Sequence, residues 1–322
     1  MALTLVHDLP SVLEEVMASV LQRDAEEFLA TNGCNMSPVN IPEPYEHYGA
    51  IAKQLRPVKV AKFCFDITEE YDLLFPLATA CRGDLLQNVR TCFIEAFSKA
   101  VMPLLSRLQE WSIQVPDKAP LSTALVCLSS ALHVLHHLNH YNEQLSKKPL
   151  FIAAVQRYQE FISDLQIQVT NYCVNVCATS LLQDAESHHW DDNKAFYEGE
   201  RCSFSIQMWH YFCCGLRHDL WTVVSPVIAQ KILSEVMEQT LALLTFRYCQ
   251  AHPSYKRASQ IRIDVLAILS CVENLLWSIC STVRELVKPT QSFRDVVFKI
   301  HSYCDRLLTV LTISAAPLEM LT

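Results

Sequence analysis

At 322 residues, with 51% hydrophobic and 19% charged side chains, the chain can bury a sizeable core and is too apolar for a disordered segment or a conventional coiled coil. Five glycines leave few positions for the positive-φ turns of phosphate-cradling loops or tight-turn β architectures. A net charge of −8 supplies no basic surplus for a nucleic-acid backbone, so the expected class is all-α, with no nucleic acid among the partners.

Residues 1–31 read as an amphipathic helix, because Leu9, Val12, Leu13, Val16, Val20 and Leu21 recur at three- and four-residue spacing. The first residues carry acids early and no basic run, which argues against a secretory signal and for a cytoplasmic chain. Pro38, Pro42 and Pro44 force an extended or turning backbone, and 32–66 is predicted to be a loosely attached connector. A helical bundle domain is expected over 67–322, with a possible subdivision at the loop 185–201.

Within that domain, a break near Arg82-Gly83-Asp84 is followed by a helix that Asp84 can cap. Leu86, Val89, Phe93, Ala96, Phe97 and Ala100 trace its buried stripe, and Pro103 is expected to kink or end it. The punctuation VPDKAP at 115–120 closes this part. Leu121 to Asn142 then carries no formal charge and is long enough to span a bilayer. The three serines, one threonine, four histidines and one asparagine within 121–141 favour a buried bundle helix instead.

The next predicted helix, 150–186, places Phe151, Ile152, Val155, Tyr158, Phe161, Ile162, Leu165, Val169, Tyr172, Cys173 and Val176 on one broad face. The aperiodic insert 185–201 reads as a surface loop or hinge. Three helical segments follow over 204–287, broken at Ser225-Pro226, where Ser225 can cap and Pro226 can open a helix, and at His252-Pro253-Ser254. Such short connections predict antiparallel neighbours. Lys288-Pro289 ends the stretch, and a last amphipathic helix follows.

Few residues invite chemistry. His133 and His137, like His136 and His140, lie one helical turn apart and could share a zinc ion, but no acid falls between them, and a polar helix flank is the favoured reading. His188, His189, Asp191 and Asp192 are adjacent in a loop, a poor arrangement for convergence on one ion. His210, Cys214 and His218 share a helix face among Trp209, Phe212, Leu216 and Leu220, where burial is favoured over ligation. The 14 cysteines form no CxxC pair and most sit in apolar runs, as small hydrophobes do in a reducing compartment. No nucleophile turn or nucleotide-binding signature occurs, so no catalytic residue, cofactor or metal is expected.

The strongest local charge feature runs from Arg247 to Arg262. Arg247, Tyr248, Tyr255, Lys256, Arg257 and Arg262 form the candidate interaction surface there. One reading docks an acidic peptide or anionic lipid headgroup, allowing peripheral membrane association. The favoured one has the cations offset a helix C-terminal dipole.

The order Arg247-Tyr248, Pro253-Ser254, Arg257, Asp264 resembles the C-terminal helical modules of vesicle-tethering subunits (the CATCHR superfamily) of the exocyst, Golgi and endoplasmic-reticulum tethers. It also looks like parts of large animal proteins related at a distance to that group. The resemblance covers 200–290 and implies an elongated stack of antiparallel helical bundles without an active site. The expected function is a scaffold that binds other proteins. The alternatives are an all-helical enzyme or ligand carrier with an inter-helix pocket, perhaps on the His133–His140 face, and a peripheral membrane protein using 247–262.

Overall fold

The computed structural model describes residues 35–42, 54–80, 87–113, 120–185, 190, 201–287, 289 and 295–316. The predicted N-terminal helix, the Asp84 cap, most of VPDKAP and all of the 185–201 insert except Ala185, Trp190 and Arg201 lie outside these residues. The described residues are all-α with one small strand pair. In chain order the elements are β1 (Pro38–Asn40), β2 (Lys59–Ala61), α1 (Lys62–Ala80), α2 (Gln87–Ile113), α3 (Leu121–Leu145), α4 (Ile152–Ala185), α5 (Phe204–Val223), α6 (Pro226–Cys249), α7 (Ala258–Ile279), α8 (Val283–Val287) and α9 (Val296–Ala315). They divide into two compact units, 1–167 with 222–226, and 168–221 with 227–322.

In the first unit β1 and β2 pair antiparallel, with Val39 opposite Val60. The expectation of a loose connector does not fit the described part of 32–66. Val60 and Ala61 are fully buried, and the Ala61 amide donates to Ser130 Oγ on α3 at 2.8 Å. The Val58 amide likewise donates to the Val223 carbonyl, which also accepts from Ser129 Oγ. α1 therefore starts at Lys62, five residues before the predicted Ile67. Pro103 does not end α2, which runs through it to Ile113. Phe75, Phe93, Phe97 and Tyr141 stack at 4.6–6.3 Å between centroids, an aromatic core joining α1, α2 and α3.

α3 is long and apolar enough to cross a bilayer, yet 67% of its most apolar window is buried inside the fold. α4 buries Phe151 just before it, then Tyr158, Phe161, Ile162, Leu165, Val169, Cys173 and Cys177 at helical spacing. Ile152 and Val176, predicted on that face, are exposed, because the buried stripe is narrower than the apolar composition suggested.

In the second unit the directions of three helices follow from their contacts. Trp209, near the start of α5, donates from Nε1 to Thr240 Oγ1, late in α6, at 3.0 Å. Ser203, just before α5, meets Asp264 early in α7, and Arg217 late in α5 reaches Asn274 and Ser278 late in α7. So α5 and α7 run the same way and α6 runs against both, as the short connections predicted. At the first corner, Ser225 Oγ is buried without a hydrogen-bond partner among the described residues, so it does not provide the predicted cap.

A break at 280–282 was not predicted. Glu285 N donates to Thr282 Oγ1 at 3.2 Å, so Thr282 caps α8, and the Glu285 side chain reaches back to accept from Ser281 N, one residue before the cap, at 2.9 Å. α9 is capped by Asp295, whose carboxylate accepts from Val297 N and Phe298 N.

Candidate functional site

Two buried polar clusters hold most of the side chains that looked chemically interesting. The first centres on Asp264, which is 0% exposed. A carboxylate there, without partners, would cost several kcal/mol. Ser203 N donates to Oδ1 at 2.6 Å, while Ser203 Oγ and Tyr248 OH donate to Oδ2 at 2.5 and 2.9 Å. Gln260 Nε2 donates to Ser203 Oγ at 3.2 Å. Burial and the adjacent carboxylate push the Tyr248 phenol well above its ordinary range, so it stays a donor. One side chain on α7 thereby holds the entry to α5 and the exit of α6.

Around it lies a second set of contacts. Arg247 Nη1 donates to the Leu181 carbonyl near the end of α4 at 2.8 Å, a cation at the negative end of a helix dipole. Its guanidinium carbon lies 5.0 Å from the centroid of the Trp190 ring, and that ring packs 5.2 Å from Tyr248. The Ser254 amide donates to the Trp190 carbonyl at 2.7 Å. Arg247, Tyr248, Ser254 and Asp264 are thus a set of internal pins, while Arg257 Nη1 donates locally to Gln260 Oε1 at 3.2 Å. Tyr248 is 3% exposed and is no part of an open surface, and Arg247 is directed inward. Tyr255 is 88% exposed and Lys256 is exposed, while Arg257 and Arg262 are half-buried.

The second cluster overturns the polar-flank reading for His133 and His137, while His136 and His140 are half-buried. His133 and His137 are buried and face α1. Thr68 Oγ1 lies 3.0 Å from the carbonyls of both Cys64 and Phe65 and 2.9 Å from His133 Nε2. With its single proton on a helix carbonyl, that hydroxyl accepts from His133, which assigns the ring proton to Nε2. His137 Nδ1 donates to the His133 carbonyl at 2.9 Å. His137 Nε2 lies 3.2 Å from Asp72 Oδ2, and Tyr141 OH donates to Asp72 Oδ1 at 2.5 Å. Neither sequence periodicity nor spacing pointed to Thr68 or Asp72, which come from a helix 65 residues earlier. No group of three metal-ligating side chains converges among the described residues.

Burial, followed by His137, holds His133 well below the usual imidazole value of 6.5, so it is neutral in the folded chain. Asp72 partly offsets this, and His136 and Arg56 add to it. The sign of the pH dependence follows. Above pH 6.5 the contribution of His133 to stability is complete; below it the unfolded imidazole binds a proton that the folded one refuses. Stability is then lost by up to about 1.4 kcal/mol per pH unit until the folded value is reached. Urea denaturation between about pH 5 and pH 7.5 checks this. The slope should be shallower in His133→Gln, and identical slopes would contradict the assignment.

Several of the described cysteines are poorly placed as nucleophiles. Burial pushes the thiols of Cys127 and Cys173 up to about 12 and that of Cys271 up to about 11, while a hydrogen bond with Cys177, followed by burial, holds that of Cys213 well above the ordinary range. Cys249 is exposed. Among the described cysteines, iodoacetamide on the native chain is expected to label Cys249 first and to reach Cys127 and Cys173 only after unfolding, as peptide mapping would show. A groove of about 440 Å³ runs along α5, lined among others by Cys202, Ile206, His210 and Cys214, with Cys214 Sγ 3.3 Å from His210 Nε2. His218, the third residue of the predicted trio, is exposed and absent from the groove lining.

A family model described as "Domain of unknown function (DUF4495)" matches residues 92–322. The chain belongs to the DUF4495 family. It is 49% identical over 323 residues to the human "Uncharacterized protein KIAA0825", an alignment covering 99% of this chain and 25% of that protein. The chain therefore spans a quarter of the length of that relative. No solved structure matches it.

Within the DUF4495 match lie the whole Asp264 cluster, the groove and the α3 half of the histidine cluster. Thr68 and Asp72 precede it. The match fits the second group that the sequence resembles, a large animal protein, and names no tethering subunit.

Proposed function

We propose that this DUF4495 chain is a non-catalytic helical scaffold of the cytoplasm that binds other proteins, in a setting related to vesicle tethering. The observation that carries the reading is where the ionisable side chains go. Asp264, His133 and His137 are held by donors and acceptors of the fold itself, and the thiols of Cys127, Cys173, Cys213 and Cys271 are pushed away from their reactive form. Such groups specify packing; a catalytic group needs an open face toward substrate.

A surface for a partner is offered by α5. Phe204, Met208 and Tyr211 follow one another at i, i+4 and i+7, with Phe204 66% and Tyr211 76% exposed. One turn on, Gly215 has open space where a Cβ would stand. That face, beside the groove, fits the apolar side of an amphipathic helix from another protein. The likeness of Arg247-Tyr248 through Asp264 to tethering modules supports the trafficking setting.

Proximity labelling in cells, paired with the variant Phe204→Glu/Tyr211→Glu, tests the reading. Specific neighbours that disappear in a variant of unchanged Tm support it; neighbours that persist in the variant, or none above control, overturn it. The groove also supports a second reading, a ligand carrier, for which native mass spectrometry of the purified chain should show a bound small molecule.

A further inference from the structure

We propose that Ser259 is a phosphorylation site for a basophilic serine kinase, and that Arg262 holds the phosphate at the start of α7. The inference stands on the hairpin between α6 and α7 and does not depend on what the chain binds.

Accessibility comes first. Ser259 is exposed, and the preceding tip displays His252, Tyr255 and Lys256 to solvent. The approach reads Lys256-Arg257-Ala258-Ser259, which sets cations three and two residues before the hydroxyl. That charge pattern is what a kinase with an acidic substrate groove selects. Ser259 lies in the first turn of α7, where helices fray, so the segment can open to a kinase cleft.

The second observation is where the cations sit. Cations were expected to offset a C-terminal dipole, and Arg247 does so at the end of α6. Lys256, Arg257 and Arg262 instead surround the N-terminus of α7, the positive end of its dipole. The first turn of α7 contains no acidic residue, and its N-cap, Arg257, makes no side-chain cap bond. Asp264 is the next acid along the helix, and it is committed to Ser203 and Tyr248.

Geometry then places the anion. Arg262 Nη2 donates to Ser259 Oγ at 3.3 Å, and Arg262 Nε is buried with no hydrogen-bond partner among the described residues. A phosphate on that oxygen brings three acceptor oxygens beside a guanidinium already aimed at it, and a charge of about −2 to the positive end of a helix. In the transfer, the γ-phosphoryl group of MgATP forms a bond to Ser259 Oγ as its bond to ADP breaks, and the hydroxyl proton passes to the catalytic base of the kinase. The modification also offsets the positive charge that Lys256 and Arg257 give the tip.

The test is to incubate the 322-residue chain with the catalytic subunit of a cAMP-dependent protein kinase and MgATP, and to map the phosphate by tandem mass spectrometry. One phosphate at Ser259, absent in Ser259→Ala, is expected. Phosphorylation should raise Tm by about 2 °C in the parent chain and by less in Arg262→Met, which keeps only the helix-dipole contribution. Slower amide exchange over 258–262 in the phosphorylated parent gives the same answer without any variant. A folded chain that takes no phosphate at Ser259 would overturn the proposal, as would a phosphate that lowers Tm, stabilises Arg262→Met equally or leaves amide exchange unchanged.

Discussion

Replacing Asp264 with alanine is expected to destabilise the chain by about 3–5 kcal/mol, the largest single effect in the molecule. The substitution removes one carboxylate and leaves Ser203 N, Ser203 Oγ and Tyr248 OH without the acceptor they share. Ser203 and Tyr248 are buried, so water is poorly placed to replace it. Asp264→Asn retains a carbonyl oxygen for one donor but turns an NH2 toward another, and its loss should fall between the parent and the alanine variant. Urea titration followed by circular dichroism reads this directly, and a loss below about 1 kcal/mol for Asp264→Ala would show that the cluster is not a pin.

The second large effect is expected at Asp72. Alanine there strips the acceptor from Tyr141 OH and from His137, both buried against α1, at a cost of about 2–4 kcal/mol. Asp72→Asn keeps an oxygen for Tyr141 and should cost about 1 kcal/mol. Tyr141 also packs against Phe75, Phe93 and Phe97, so Tyr141→Phe should lose only the hydrogen bond while the aromatic core stays intact. A Tyr141→Phe variant as damaged as Asp72→Ala would place the energy in the ring packing rather than in the carboxylate. Thermal melts of the three variants separate these outcomes.

The helices were legible because apolar side chains recur once per turn, and proline marked the corners at Pro226 and Pro253. The break at 280–282 contains neither proline nor glycine, and only Thr282-x-x-Glu285 announced it. The strand pair escaped notice because three residues on each side are too few for a period of two to show, and their burial depends on α3 and Val223, remote in sequence. The histidines misled for the same reason. A polar residue on an apolar helix can be exposed, ligating or buried against a partner, and only the position of Thr68 and Asp72 decides among these. Ser203 did leave a local signal, as a serine directly before an apolar run, the place of an N-cap; its carbonyl accepts from Ile206 N and Gln207 N while its hydroxyl serves Asp264.

The central claim is that the ionisable residues of the 247–264 stretch serve the fold, and a double-mutant cycle between Tyr248→Phe and Asp264→Asn tests it most directly. The two substitutions act on one hydrogen bond of 2.9 Å, so urea denaturation should show them non-additive by about 1–2 kcal/mol. Single losses below about 0.5 kcal/mol that simply add, in variants that nevertheless abolish partner binding, would contradict the claim and return Tyr248 and Asp264 to a working surface.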